Sequence, residues 1–389
     1  MQDLFIDTDS GLAALCEQLR GKPVLALDTE FLREKTYYAQ LCLLQVAANG
    51  VVACVDPLAV KLDPLLDIIY DPAVIKVMHS ARQDLEIFFD LRGELPRPLF
   101  DTQIAATLMG FGEQVGYANL VREMLGVELD KMATRTDWSQ RPLDAEQLRY
   151  AADDVRYLFT VYHQQVEQLG AKGRLEWLQA DFDELTLRDT YAMPPEQLWK
   201  RVRGTQKLKP GQLAVLRGLA TWREERAQAS NRPRRWILKD EVMVDIARRA
   251  PTDLAGLEKV RGVEGKLLSQ QGQALLAVIA REKASDPAHW PHRPSGHKLT
   301  PAQDAVVDVL TAVVRSRGAE HEVSAALLAN RKALEAVVAD TDSAEGLTPS
   351  DHPLLHGWRA ELAGHDVQAV LAGERLLRVR DGRLSIEPA

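Results

Sequence analysis

Short apolar runs closed by turn residues fill the first eighty or so positions, and helical spacing takes over after them. Val24-Leu25-Ala26-Leu27-Asp28 follows Pro23 and predicts a buried strand. Leu41 to Ala47 and Val51 to Val55 predict two more, joined by Ala48-Asn49-Gly50, where Asn-Gly accepts the positive φ angles of a tight hairpin. Asp63 to Tyr70 reads as a helix and Val74 to Met78 as a fourth strand. Gln83 to Leu91 then has helical spacing, with Leu85, Phe88 and Phe89 on one side. From Asp101 to about Gly170 the pattern is helical. Asp144, with Gln147 three residues on, predicts a helix start; that helix runs through Tyr150 and Asp154 to Leu169, with Gly170 ending it. More helix follows, interrupted by Met193-Pro194-Pro195. Past residue 206 strand signals fade into two helical blocks, divided by the His-, Pro- and Ser-rich segment Pro287 to His297. Leu208, Pro210, Gln212, Ala214, Val215 and Leu219 recur as Leu299, Pro301, Gln303, Ala305, Val306 and Leu310, a constant offset of 91 that predicts a duplicated helical module.

A chain of 389 residues exceeds one ordinary core, so two or three domains are expected. No apolar run approaches the roughly 20 residues of a membrane span, and the first residues lack the charged and apolar regions of a secretory signal. The three cysteines, Cys16, Cys42 and Cys54, have neither disulfide-framework nor zinc spacing, which points to a reducing cytoplasm. Net charge is −8, but its distribution is uneven. Between Trp199 and Lys239 twelve basic residues face two acidic ones, a local net of +10 that leaves −18 for the rest. An acidic body with one basic segment suits a metal-bearing nuclease with an attached nucleic-acid-binding module, although a solvated helical face gives the same count.

Three short constellations carry the candidate chemistry. Asp28 and Glu30 stand two apart at a strand end, so they share a face, and paired carboxylates attract hard divalent cations. Asp84 lies in the first turn of the helix after the fourth strand, where an acid also simply favours the positive helix end. Tyr150 and Asp154 are four apart on one helix face; a phenol there orients a water nucleophile or helps remove its proton. Each is commonplace alone. No Gly-rich phosphate loop, Ser-His-Asp arrangement or Cys/His cluster accompanies them, and no organic cofactor is expected.

The ordered set Asp-x-Glu, Asp and Tyr-x-x-x-Asp resembles the DEDD exonucleases, in their Tyr-containing branch. Flanking segments are similar to the ribonuclease D family: Leu25 to Phe31, Thr36-Tyr37-Tyr38, Leu41-Cys42-Leu43-Leu44-Gln45 and Asp137-Trp138-Ser139-Gln140-Arg141-Pro142-Leu143. Asn231 to Asp240 resembles the HRDC domain attached to that enzyme. The resemblance implies an α/β RNase H-like exonuclease domain, a mixed five- or six-stranded sheet with helices, followed by two all-α HRDC-type helical domains. The corresponding division is 1–190 for the exonuclease, 191–206 connecting, 207–286 for the first HRDC domain, 287–297 as linker and 298–380 for a second HRDC-like domain.

The implied activity is two-metal-ion hydrolysis of RNA from a free 3′ end, releasing 5′-nucleoside monophosphates, with tRNA precursors as expected substrate. Asp28, Glu30, Asp84 and Asp154 would hold two divalent cations, Mg²⁺ or Mn²⁺, and Tyr150 would orient the water. Phe31 wedges against the terminal base or packs in the core. His79 contacts phosphate or ribose, or is structural; Trp138 and Arg141 shape the site beside the nucleic acid. Arg234, Arg235 and Lys239, with Trp236, are the candidates for RNA backbone contact. The second block either shapes a channel with the first or simply packs. A cytoplasmic monomer is expected. The alternatives are a DNA 3′→5′ exonuclease and a non-catalytic RNA-binding protein on the same fold, the latter disfavoured because all four acids and the tyrosine are present.

Overall fold

The computed structural model describes residues 3–112, 114–129, 136–292, 299–341 and 352–389. Its N-terminal half is ordered as β1 (Leu4–Ile6), α1 (Asp9–Leu19), β2 (Val24–Leu32), β3 (Gln40–Ala48), β4 (Val51–Val55), α2 (Asp63–Ile69), β5 (Ile75–Met78), α3 (Arg82–Arg92), β6 (Leu99–Asp101), α4 (Thr102–Thr107), α5 (Tyr117–Leu125) and α6 (Ala145–Ala171). The strands form one mixed six-stranded sheet in the order β1-β4-β3-β2-β5-β6. β2 runs antiparallel to β3 and parallel to β5, so it is central and paired along both edges. That position explains its near-continuous apolar first half: Val24 to Leu27 are buried on both faces.

Alternation along β2 separates two cores. Leu25 and Leu27 pack with Leu12, Leu44, Leu85 and Phe88 beneath α1 and α3. Ala26 turns the other way, into a cluster with Ala151, Ala152 and Val155 of α6. Helix α6 starts where expected, with a reciprocal capping box between Asp144 and Gln147. It does not stop at Gly170. The helix carries on to Ala171, and Gly173, at φ 64, makes the left-handed turn instead.

A short 3₁₀ turn, α7 (Gln179–Leu185) and α8 (Arg188–Tyr191) lead to a second 3₁₀ turn at Pro195–Arg201. The first helical module follows as α9 (Pro210–Ala229), α10 (Arg234–Ile237), α11 (Asp240–Arg249), α12 (Leu254–Glu258) and α13 (Gly265–Lys283). Its core is Leu213, Leu216, Leu219, Met243, Ile246, Leu257 and Leu275. Residues 293–298, within or beside the expected linker, lie outside the described residues.

The second block then restates the schedule. α14 (Pro301–Glu320), α15 (Ala325–Leu328) and α16 (Arg331–Thr341) each begin 91 positions after α9, α10 and α11. Both long helices have Pro at N1 and a capping-box glutamine, Gln212 and Gln303. Asn231 and Glu322, again 91 apart, both adopt positive φ, at 44° and 54°. α17 (Gly357–Arg359) and α18 (His365–Leu371) follow.

The reading of this region as wholly helical needs correction. β7 (Arg375–Arg380) and β8 (Arg383–Pro388) form an antiparallel hairpin after α18. Asp381 and Gly382, at φ 52 and 72, provide its turn. β7 reads Arg-Leu-Leu-Arg-Val-Arg, with two leucines adjacent and Leu376 and Val379 exposed, so the strand has no period of two to read. The second block also fastens to the exonuclease domain. Trp358 stacks on Trp177 with ring centroids 4.9 Å apart and planes within 5°, and Arg359 pairs with Asp181 at 2.9 Å.

Candidate active site

Asp28 and Glu30 share the face of β2 that looks toward α6, as strand alternation requires. Immediately after Glu30 the β2–β3 register slips, with Glu30 opposite Leu43 and Phe31 opposite Leu41. Bulges of this kind re-aim side chains at the end of a ladder. Gln45 stands directly opposite Asp28; it is fully buried and neither atom of its amide has a protein partner.

Asp84 arrives from the other side of the sheet on α3. The turn into that helix is forced. Ser80 is held at φ 59, and the Asp101 carboxylate accepts from the amides of Ser80 and Ala81 at 3.2 and 2.8 Å. Asp101 also caps α4, so one carboxylate fixes two helix starts. Thr29, between the paired acids and facing α3, donates its hydroxyl to Asp84 at 2.5 Å. Tyr150 and Asp154 come from α6, one turn apart, and the phenol and carboxylate are close enough to shift each other's ionisation.

Carboxylate oxygens of Asp28, Glu30 and Asp154 lie within 4.8 Å of one another. Asp84 stands beside this trio as the neighbouring charge acting most strongly on Asp28. Burial, more than any neighbour, raises all four acids. Glu30 is pushed up to about 8, Asp154 to about 7 and Asp84 to about 6, while Asp28 is held well above the usual carboxylate range. Coulombic repulsion from Asp84, Asp154 and Glu30 adds to the burial of Asp28. Such a set either keeps protons or surrounds a cation, and all-oxygen donors at this spacing fit a hard divalent ion.

A family profile described as 3′-5′ exonuclease matches residues 4–169, and an HRDC domain profile matches residues 212–279. The chain is 40% identical to ribonuclease D of Gluconacetobacter diazotrophicus over 389 residues, covering 99% of this chain and 97% of that one. It is 39% identical to ribonuclease D of Acidiphilium cryptum, covering 99% and 97%. The chain belongs to the ribonuclease D family. It is therefore a 3′→5′ exoribonuclease whose acidic centre is suited to divalent metal. The crystal structure of Escherichia coli RNase D, an exoribonuclease involved in structured RNA processing, superposes with a TM-score of 0.81 at 32% identity, covering 96% of this chain and 99% of that one. The catalytic core of RRP6 from Trypanosoma brucei gives 0.53 at 25% identity, covering 72% and 79%.

Within this ribonuclease D framework the remaining candidates separate into engaged and open groups. His79 bonds through both ring nitrogens, to Thr102 Oγ1 and the Val115 carbonyl, each at 3.0 Å, so it braces the fold. Arg141 is likewise committed: it chelates Asp56 at 2.6 Å through two nitrogens and donates to the carbonyls of Cys42, Trp138 and Gln140. It clamps the segment before α6 onto the sheet, leaving phosphate no free fork. Arg234 is turned away too, into an ion pair with Glu224. Trp138 is buried with its ring 6.2 Å from that of Tyr150, which makes it a support for the phenol. Phe31 is half-buried against the α3-side core. Arg235, Trp236 and Lys239 are exposed and line a groove that also holds Arg203, Arg226 and Arg232.

Thr29, Gln45 and Tyr117 were not singled out from the sequence. Tyr117 donates to the Asp153 carbonyl at 2.9 Å, and its phenol is raised by burial and then by Asp154 and Asp28. For Thr29 a signal existed, since the residue between two same-face acids must face the other side, where α3 packs.

Proposed function

We propose that Asp28, Glu30, Asp84 and Asp154 hold two divalent cations, Mg²⁺ or Mn²⁺, and that Tyr150 positions the hydrolytic water. The trio of carboxylates within 4.8 Å, with Asp84 beside it, carries this reading. Bound cations would offset the repulsion, polarise the scissile phosphate and lower the pKa of water. Asp28, touched by the charges of the other three, is the natural shared ligand. Glu30 and Asp154 flank it, and Thr29 fixes the rotation of Asp84. The Tyr150 phenol is held above its ordinary range by burial and then by Asp154, so at neutral pH it keeps its proton and directs it. That favours orientation of the water over deprotonation by Tyr150.

The products would be 5′-nucleoside monophosphates, and the substrates structured small RNAs with free 3′ ends, tRNA precursors foremost. The groove lined by Arg203, Arg226, Arg232, Arg235 and Lys239 would follow the RNA backbone, and exposed Trp236 would stack a base. The 91-residue recurrence supports a second HRDC-type domain at 298–380, its hairpin being an addition. No helix among the described residues is long and apolar enough to cross a membrane; a cytoplasmic monomer is our reading.

The test uses RNA and DNA oligonucleotides labelled at the 5′ end, with and without Mg²⁺ or Mn²⁺, beside Asp28→Ala. Metal-dependent stepwise shortening of RNA, absent in the variant, is expected. Cleavage without metal, or undiminished in Asp28→Ala, sinks the site; faster shortening of DNA sinks the substrate assignment.

A further inference from the structure

The seam between the first helical module and the exonuclease domain is polar and directional. Residues 33–39 link β2, which carries Asp28 and Glu30, to β3. This loop is held at two points. At its start Arg33 chelates Glu86 at 2.5 and 2.6 Å, and Glu86 lies on α3 two residues after Asp84. At its crest Tyr37 enters the module. Its hydroxyl donates to Glu224 at 2.5 Å and accepts from Arg234 at 2.8 Å and Gln228 at 3.1 Å. Arg234 closes the set, chelating Glu224 at 2.5 and 2.6 Å with its guanidinium 4.5 Å from the Tyr37 ring centroid. Asn231, at φ 44, accepts the amides of both Tyr37 and Tyr38 at 3.1 Å.

Nothing in the packing of the ring demands this chemistry, since phenylalanine would fill the same volume. Directional hydrogen bonds to a mostly buried ion pair instead define one angle and one register. α10 divides its residues between two tasks. Arg234 turns into the seam, while its neighbours Arg235 and Trp236 face the basic groove. The position of the groove relative to the catalytic strand is therefore set by whatever fixes Arg234.

We propose that Tyr37, Glu224 and Arg234 form a latch that registers the basic groove against the 33–39 loop, so that RNA held by the module meets the carboxylates in the correct place. This rests on the groove being an RNA surface. The three are positioning residues and touch neither metal nor scissile bond.

The experiment uses the full chain with Glu224→Arg, Arg234→Glu, their combination, and Tyr37→Phe. Each is assayed on a long single-stranded RNA and on a dinucleotide too short to reach the groove, and hydrogen exchange is followed at the Tyr37 and Tyr38 amides. Either single charge reversal should raise KM for long RNA about tenfold, while dinucleotide turnover stays within about twofold. Exchange at both amides should accelerate. The double swap should restore KM and protection, and Tyr37→Phe should show a smaller rise of about threefold. Faster exchange with unchanged KM for long RNA overturns the latch, as does equal loss on both substrates or failure of the double swap to rescue either readout. If the unmutated chain hydrolyses the dinucleotide but Arg235→Ala with Lys239→Ala leaves long-RNA KM unchanged, the groove reading fails separately.

Discussion

The molecule concentrates charge in two places of opposite sign, and the two obey different physics. The acidic centre is assembled from three elements, β2, α3 and α6, with Asp84 buried and Asp28, Glu30 and Asp154 half-buried. The basic groove is drawn mostly from one stretch of chain and lies open to solvent. Buried like charges cannot be screened, so the acidic centre must be balanced by protons or cations, and each acid conditions the others. Exposed cations are hydrated and screened beyond about 8–10 Å in physiological salt, so each contributes a modest, salt-sensitive share. Losses in the first region should be abrupt and coupled; losses in the second, graded.

The largest effect is expected from Asp28→Asn, which keeps shape and removes one charge from the centre. Exoribonuclease turnover should fall by more than roughly a hundredfold, the upper end of what loss of a supporting partner costs a metal site. The rise in Tm on adding Mn²⁺ should shrink in parallel. Retention of both would mean that the centre behaves like the groove.

Next comes pH. Glu30, Asp154 and Asp84, at about 8, 7 and 6, bind protons more tightly in the folded chain than when unfolded. Between the ordinary carboxylate range and pH 8 the folded state therefore holds extra protons, and its stability falls as pH rises. Metal-free protein should lose Tm from pH 5 to pH 9, most steeply between 6 and 8, where these groups titrate. Saturating Mg²⁺ should flatten that slope. A metal-free Tm that climbs with pH over this range would contradict the burial of the acids.

The same contrast explains what could be read from the residues beforehand. The shared faces of Asp28 with Glu30 and of Tyr150 with Asp154 were legible because strand alternation and helix spacing fix which way each points, whereas Asp84 joined them only through the ordered set. The ordered set and its flanks supplied the family. Helix α1 carries Leu12, Leu15, Cys16 and Leu19 at helical spacing but was not among the expected elements, and the three-residue strands β1 and β6 are too short for any period to show. The basic cluster was visible as charge, but which cations remain free was not. Arg141 and Arg234 look identical to Arg235 in sequence. Only the fold reveals that Asp56, from β4's end, and Glu224, one α-helix away, engage the first two.

On the basic side, Arg235→Ala with Lys239→Ala should weaken binding of single-stranded RNA about tenfold at physiological salt. The slope of log affinity against log salt should flatten by roughly 1.4, two phosphate contacts at about 0.7 each. Trp236→Ala should weaken binding with little change in that slope, because stacking on an aromatic is not a counterion effect. A collapse of binding from either change would make the groove as cooperative as the acidic centre.

The smallest effect is expected in the second helical block, where the same backbone schedule carries different surface chemistry. Ala325, Ala326 and Leu327 occupy the positions of Arg234, Arg235 and Trp236, and Asn330 that of Lys239. Three of its described arginines are tied to acids: Arg331 to Asp304, Asp308 and Glu335, Arg317 to Glu320 and Asp366, Arg359 to Asp181. A paired, exposed arginine offers a phosphate little net charge, since the acids that hold it repel the ligand. Arg331→Ala should leave RNA affinity within about twofold and the salt slope unchanged, with a small fall in Tm as α14 and α16 lose their surface tie. Should Arg331→Ala instead flatten the slope as Arg235→Ala does, both helical blocks would share the RNA, and shared backbone schedule would prove a better guide to function here than the residues placed on it.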